Sequence, residues 1–141
     1  MSKSDLSVIR PKLMAFLFCK HIEGVSNKPT GGLKTLTGIF DEVRAPSVPC
    51  TGEFEKAFWI YLRFVGGKGK QTLRFNFQSP SGKILLLPME ISFELHDLDR
   101  FHDVAIKLDN VVFEEFGTYK VRVDLNDNSI AEHPLPVIKT G

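Results

Sequence analysis

Cysteine is nearly missing from this chain of 141 residues: Cys19 and Cys50 stand alone, far apart, with no Cys-x-x-Cys spacing. That excludes a disulfide framework and a thiolate metal centre, both of which need more sulfur at closer spacing. Long apolar runs are missing as well. None nears the roughly 20 residues that cross a bilayer. Leu13 to Cys19 lies between Lys12 and Lys20 and is too short for the apolar part of a signal peptide, and the opening Met1-Ser2-Lys3-Ser4-Asp5 lacks a positive-then-apolar order. The expected location is therefore the cytoplasm, with no membrane partner. An excess of one charge is also lacking. Eighteen Lys and Arg face seventeen Asp and Glu, so phosphate neutralisation does not favour a nucleic-acid partner.

Catalytic spacing is equally sparse. The four histidines, His21, His96, His102 and His133, stand beside no Ser or Cys in a nucleophile motif, and Gly-x-Ser-x-Gly does not occur. Gly66-Gly67-Lys68-Gly69-Lys70 looks like an anion loop but lacks the Lys-Ser/Thr ending, and a strand rather than a helix follows it. It reads as a flexible hairpin tip. No cofactor is implied, and the expectation is that the protein is not an enzyme. No helical periodicity longer than two turns occurs anywhere.

What is present is phenylalanine, twelve residues of it, together with alternation of period two. Tyr119, Val121, Val123 and Leu125 alternate with Thr118, Lys120, Arg122 and Asp124, as in a half-buried strand, and Asn126-Asp127-Asn128-Ser129 turns the chain back toward Val137. Phe58, Ile60, Leu62 and Phe64 alternate with Trp59, Tyr61 and Arg63 in a strand expected over Lys56 to Val65. Leu73, Phe75 and Phe77 follow, read as the second arm of a hairpin. Leu13 to Cys19 and Leu33 to Arg44 read as strands, the latter with Gly38 marking a bulge or a close backbone contact. Lys83 to Glu94, interrupted by Pro88, reads as an edge strand or two short ones. Val104, Ile106 and Leu108 alternate at even numbers, whereas Val111 and Phe113 continue at odd ones, so a corner is expected near Asp109-Asn110. Glu23 to Gly32 reads as a loop and residues 1–11 as a loose arm. The fold class that follows is all-β: one domain over residues 1–141, an antiparallel two-sheet Greek-key or immunoglobulin-like sandwich of seven to nine strands. Phe116-Gly117-x-Tyr119 resembles the tyrosine corner of such sandwiches, where the hydroxyl bonds the backbone a few residues upstream.

Three motifs together resemble a bacterial family of small β-sandwich proteins of unknown function. They are Met14-Ala15-Phe16-Leu17-Phe18-Cys19, then Leu36-Thr37-Gly38-Ile39-Phe40-Asp41-Glu42-Val43, and finally Phe116-Gly117-x-Tyr119 with Pro134-Leu135-x-Val137. The resemblance implies the fold and a cytoplasmic setting, and no activity. Lys20 stands where that family usually has an acidic residue after the cysteine.

Two surfaces carry candidate function. Trp59, Tyr61 and Arg63, beside Arg74, Asn76 and Gln78, form an expected binding face, because Trp, Tyr and Arg concentrate binding energy at interfaces. The plain alternative is that one of the aromatics belongs to the core. The second surface is His96, Asp97, Asp99, His102 and Asp103, five potential ligands within eight residues, which would suit an oxygen- and nitrogen-ligated ion or a metal-dependent hydrolase. Arg100 in their midst and the absence of a calcium-loop spacing favour a solvated loop instead. Ile84 to Leu87 with Met89, Ile91 and Phe93 is apolar enough for an edge strand to pair with a second copy, so a homodimer is the expected assembly. Residues 1–80 hold twelve cationic side chains against six acidic, and residues 81–141 hold six against eleven. The favoured function is a non-catalytic binding or protein-interaction module.

Overall fold

The structure, a computed structural model, describes residues 8–24, 34–51 and 57–141, with the backbone alone at 86–88. Nine strands follow in order: β1 Lys12–Glu23, β2 Thr35–Phe40, β3 Val43–Ala45, β4 Phe58–Val65, β5 Gly69–Gln78, β6 Ile84–Leu95, β7 Phe101–Leu108, β8 Gly117–Leu125 and β9 Asn128–Lys139. They form a four-stranded sheet ordered β2-β1-β4-β7 and a five-stranded sheet ordered β3-β9-β8-β5-β6. No helix occurs among the described residues. The expected loop Glu23 to Gly32 falls almost wholly outside the described residues, as do residues 1–7 of the expected arm and Lys56.

Alternation decides which side chains enter the space between the sheets. Phe58, Ile60, Leu62 and Phe64 of β4 face Leu73, Phe75 and Phe77 of β5 and Tyr119, Val121, Val123 and Leu125 of β8 in one buried cluster. Six phenylalanines lie in that cluster, and Phe16, Phe40, Phe93 and Phe116 pack against it. The rings meet edge to face: Phe58 and Phe77 at 6.3 Å, Phe77 and Tyr119 at 6.1 Å, Phe113 and Tyr119 at 5.1 Å. Burying a side chain of this size contributes about 1.5–3 kcal/mol, and edge-to-face geometry adds to that.

The strand between Lys56 and Val65 does not form a hairpin with the next. β4 lies in the four-stranded sheet and β5 in the five-stranded one, so residues 66–68 carry the chain from one layer to the other. Local alternation is identical in a hairpin and in such a crossover, so only long-range pairing separates them. The glycine loop is accordingly no free tip. Lys68 exchanges backbone hydrogen bonds with Ile9 at 2.8 and 2.9 Å. A side chain at Gly67 would meet Leu95 Cδ1 at 2.5 Å and Pro11 Cβ at 2.7 Å. Residues 9–11 of the expected arm are thus held against this crossover.

Other turns match their chemistry. Asn126 and Asp127 both hold positive φ, 50° and 68°, as a two-residue turn with the twist of a β-hairpin requires. Asn126 also fastens that turn to β5: its Oδ1 accepts from Thr72 N at 2.9 Å, and its Nδ2 donates to Gln71 Oε1 at 2.7 Å. Gln71, fully buried, donates onward to the carbonyls of Ile9 and Lys68, both at 3.0 Å. This amide is the polar plug at one end of the core, with its hydrogen bonds met. At the expected corner Asn110 takes φ 59°, after which Val111 and Phe113 re-enter the core. The chain then changes sheet, and the Tyr119 hydroxyl donates to Glu115 O at 3.0 Å while accepting from Glu115 N at 3.2 Å. Six of the seven strand pairings are antiparallel. The expectation of a wholly antiparallel sandwich fails at β3, which pairs parallel with β9 through Val43 and Val137. Gly38 in β2 has φ +69°, and a Cβ there would meet Lys20 Cδ at 2.8 Å, a side-chain contact rather than the bulge or close backbone contact expected.

Candidate functional site

The side of β4 turned away from the core carries Trp59, Tyr61 and Arg63. Pairing with β1 sets Cys19, Leu17 and Ala15 beside them, and pairing with β7 sets Lys107, Ala105 and Asp103 on the other flank. Asp103 is only 8% exposed although it lies on an outer face. Its carboxylate accepts from Arg63 Nε at 2.8 Å, Arg63 Nη2 at 3.3 Å and Lys34 Nζ at 3.2 Å. Burial alone would raise this carboxyl. The hydrogen bonds of Arg63, Lys34 and Tyr61 outweigh burial and hold it below the ordinary carboxylate range. The Tyr61 phenol is pushed up to about 12, first by burial and then by the neighbouring Asp103.

Arg63 is thus tethered by its inner edge while its guanidinium carbon lies 4.7 Å over the ring of Phe101. Phe101 itself is 46% exposed. Next to this charged group is a second apolar cluster, separate from the main core. Cys19, Ile22 and Tyr61 are buried in it, with Ala15, Leu17, Leu36, Trp59 and Ala105 packed around them. Tyr61 therefore takes part in both readings, a core-like aromatic on an outer face. The Cys19 thiol is pushed up by burial and offers no thiolate nucleophile. What this arrangement can do is present a fixed cation, an exposed ring and an apolar margin to something that docks.

Arg74, Asn76 and Gln78 do not share this face. They project from β5 on the outer side of the five-stranded sheet, across the core from Trp59. Arg74 pairs there with Glu90 at 2.8 Å on the facing position of β6. The joint surface expected from a β4–β5 hairpin is split because those strands are in different sheets.

The His96 to Asp103 cluster is divided in the same way. β7 begins at Phe101, and a strand sends successive side chains to opposite faces. His102 turns inward and stacks on Phe93 at 4.4 Å, while Asp103 turns outward to Arg63. Asp97 stays in the preceding turn, accepting from Asp99 N at 2.9 Å and pairing with Arg100 at 3.2 Å. Among the described residues no group of three or more metal-ligating side chains converges. His102 and Asp103 are buried in β7, so only the stretch before Phe101 fits the solvated loop expected for the cluster. The bent segment before Phe101 is a turn, as its polarity suggested.

Lys34, Asp103 as the partner of Arg63, and Phe101 all escaped sequence reasoning as members of the Trp59 face. Each depends on register between strands far apart in the chain. One signal was available: an Asp among the alternating apolar residues that open β7 is a charge needing a partner.

The family model described as a family of unknown function (DUF6941) matches residues 14–138. This agrees with the resemblance carried by the Phe-Cys, Leu-x-Gly-aromatic and Gly-x-Tyr motifs. No curated protein matches the chain, and no helix of the described residues is long and apolar enough to cross a membrane.

Proposed function

The chain belongs to that family of unknown function, and on geometry we propose that it is a non-catalytic binding or protein-interaction module whose contact face centres on Trp59, Tyr61 and Arg63. One observation carries the reading: a nearly buried Asp103 holds Arg63 across an exposed Phe101 on an outer sheet face. Removing a carboxylate from water is costly, and replacing such a group by apolar side chains is often neutral or stabilising. A tethered guanidinium loses little side-chain freedom when it docks, and Arg with aromatic neighbours is the composition of interface hot spots. The partner that fits is a protein with an acidic or amide group set in an apolar surround. Capture by the wild-type chain, by a Trp59→Ala/Arg63→Ala variant and by an Arg74→Ala/Lys120→Ala variant tests this. The reading requires a partner to be lost by the first variant and kept by the second. Equal capture by all three would refute it.

Finer assignments accompany this reading. A Greek-key, immunoglobulin-like arrangement is supported by the Tyr119 hydroxyl bonded to Glu115 where the chain changes sheet, and by the β9-β8-β5-β6 order of the larger sheet. A cytoplasmic setting is consistent with two free cysteines, one of them buried. Self-association is supported at the free edge of β6, where Ile84 is 55% exposed.

A further inference from the structure

We infer that the far end of the β1–β2 ribbon, residues 20–23 and 34–38, is a strap folded back over the contact face, a device whose purpose depends on the contact-face reading above. Lys34 on Asp103 is its latch, and it opens as a unit to uncover Tyr61 and Cys19. The ribbon changes its buried face within an unbroken register. Phe18 and Phe40 pair across it, and both pack in the main core. Ile22 and Leu36 pair four positions further on, where alternation of period two should return both to that same core. They lie instead in the second cluster with Cys19, Tyr61 and Trp59, on the opposite side of the sheet. The ribbon therefore turns over between these two rungs. Gly38 lies between them at φ +69°, beside the Lys20 side chain. Side chains rarely tolerate that backbone, and glycine supplies the hinge.

The turned end runs back along β4. β1 pairs with β4 only as far as Cys19 and Trp59, and from His21 to Glu23 it pairs with β2 alone. Leu36 packs in the cluster of Trp59 and Tyr61, and Lys34 reaches Asp103, which faces Arg63 four positions along β4 from Trp59. This cover accounts for a Tyr61 that is only 7% exposed and a fully buried Cys19 on an outer sheet face. Little holds the cover down: Ile22 and Leu36 beneath it and one ion pair at its end. Opening does not strand Asp103, because Arg63 Nε and Nη2 keep their bonds to it while the lysine returns to water. Segments fastened by few apolar contacts open locally, at less cost than global unfolding. Arg63 and Phe101 are presented in either state, and the apolar half of the face only when the strap is open.

Two native reporters belong to the cluster that the strap closes: Cys19, and Trp59, the single tryptophan of the chain. Alkylation of the full chain with iodoacetamide tests the opening, with labelled sites mapped by mass spectrometry and urea raised to just below the unfolding transition. Cys19 should label through an opening that exposes little surface, so its rate should stay nearly flat in urea. Labelling through global unfolding would instead follow the full urea slope. A Lys34→Met/Leu36→Ala variant should label Cys19 at least about tenfold faster, as expected for loss of a packed leucine together with the latch. Its Trp59 emission should shift to the red while the Val121 and Val123 amides of β8 stay protected from exchange. If that variant does not fold, the urea slope of the wild-type chain decides. Cys19 labelling that climbs with the global slope, or a folded variant in which neither Cys19 nor Trp59 changes, would overturn the strap. These readouts need no partner, so the strap and the contact face fail separately.

Discussion

The two outer faces of this molecule handle charge in opposite ways. On the five-stranded sheet, Arg74 with Glu90, Lys120 with Glu132, and Arg122 with Asp124 form pairs whose cationic side chains are all about half exposed. Water already solvates such groups, and pairs of this kind contribute little. On the four-stranded sheet, Asp103 and Lys34 are almost sealed from water, and Arg63 is held between Asp103 and Phe101. The same residue types therefore form a solvated surface on one side and a desolvated, oriented group on the other. The lesson is that side-chain chemistry alone did not separate Arg63 from Arg74. Burial of a charge did, because a buried charge must be matched by a fixed geometry.

The largest test of this contrast is stability. Asp103→Ala leaves Lys34 without its partner in a nearly closed site and should cost about 3 kcal/mol in urea denaturation. Glu90→Ala on the opposite face should leave the midpoint essentially where it was. Equal losses would erase the distinction between the faces.

A smaller effect lies in acid. The Asp103 carboxyl is held below its unfolded value, so its contribution is complete above about pH 3.9 and disappears as the pH falls through the lowered folded value. His102 is lowered by burial, so the unfolded chain takes up its proton first, and stability declines as the pH falls from about 6.5. Two separate acid steps are expected. Asp103→Asn should flatten the lower step and, by removing the charge that favours protonated His102, deepen the upper one, whereas a Glu90→Gln control should change neither. A stability curve in which Asp103→Asn leaves the lower step intact would contradict the assignment.

The smallest effect concerns assembly. Ile84 sits at the free edge of β6 and supports none of the core rows. Ile84→Lys should leave folding stability unchanged and shift a self-associating chain to monomer in sedimentation equilibrium. If the wild-type chain sediments as a monomer at the same concentrations, the pairing edge is not β6.

Much of the fold was legible along the chain. Most strand positions, the inward rows of β4, β5 and β8, the corner near Asn110, the bond of Tyr119 and the edge position of β6 follow from period-two alternation and turn residues. These are local properties. The single strand expected over Leu33 to Arg44 is instead β2 and β3, which lie in different sheets. The site was legible only in part: Trp59, Tyr61 and Arg63 were assigned to the outer face, whereas Arg74 was joined to them and Asp103 was placed among metal ligands. Residues 1–80 carry a cationic excess and residues 81–141 an acidic one. In the fold both halves contribute to each sheet, and Arg63 with Asp103 and Arg74 with Glu90 pair across that division.

Alternation and turn chemistry, written in neighbouring residues, settled that this chain is a phenylalanine-rich all-β protein, and they settled which side chains face inward. Tertiary structure alone decided that β4 and β5 belong to different sheets, that β3 runs parallel to β9, and that Asp103 meets Arg63 forty positions away. The reason is physical. Side-chain direction is dictated by the residue's own backbone, but strand pairing is chosen by the burial that the whole assembly achieves together.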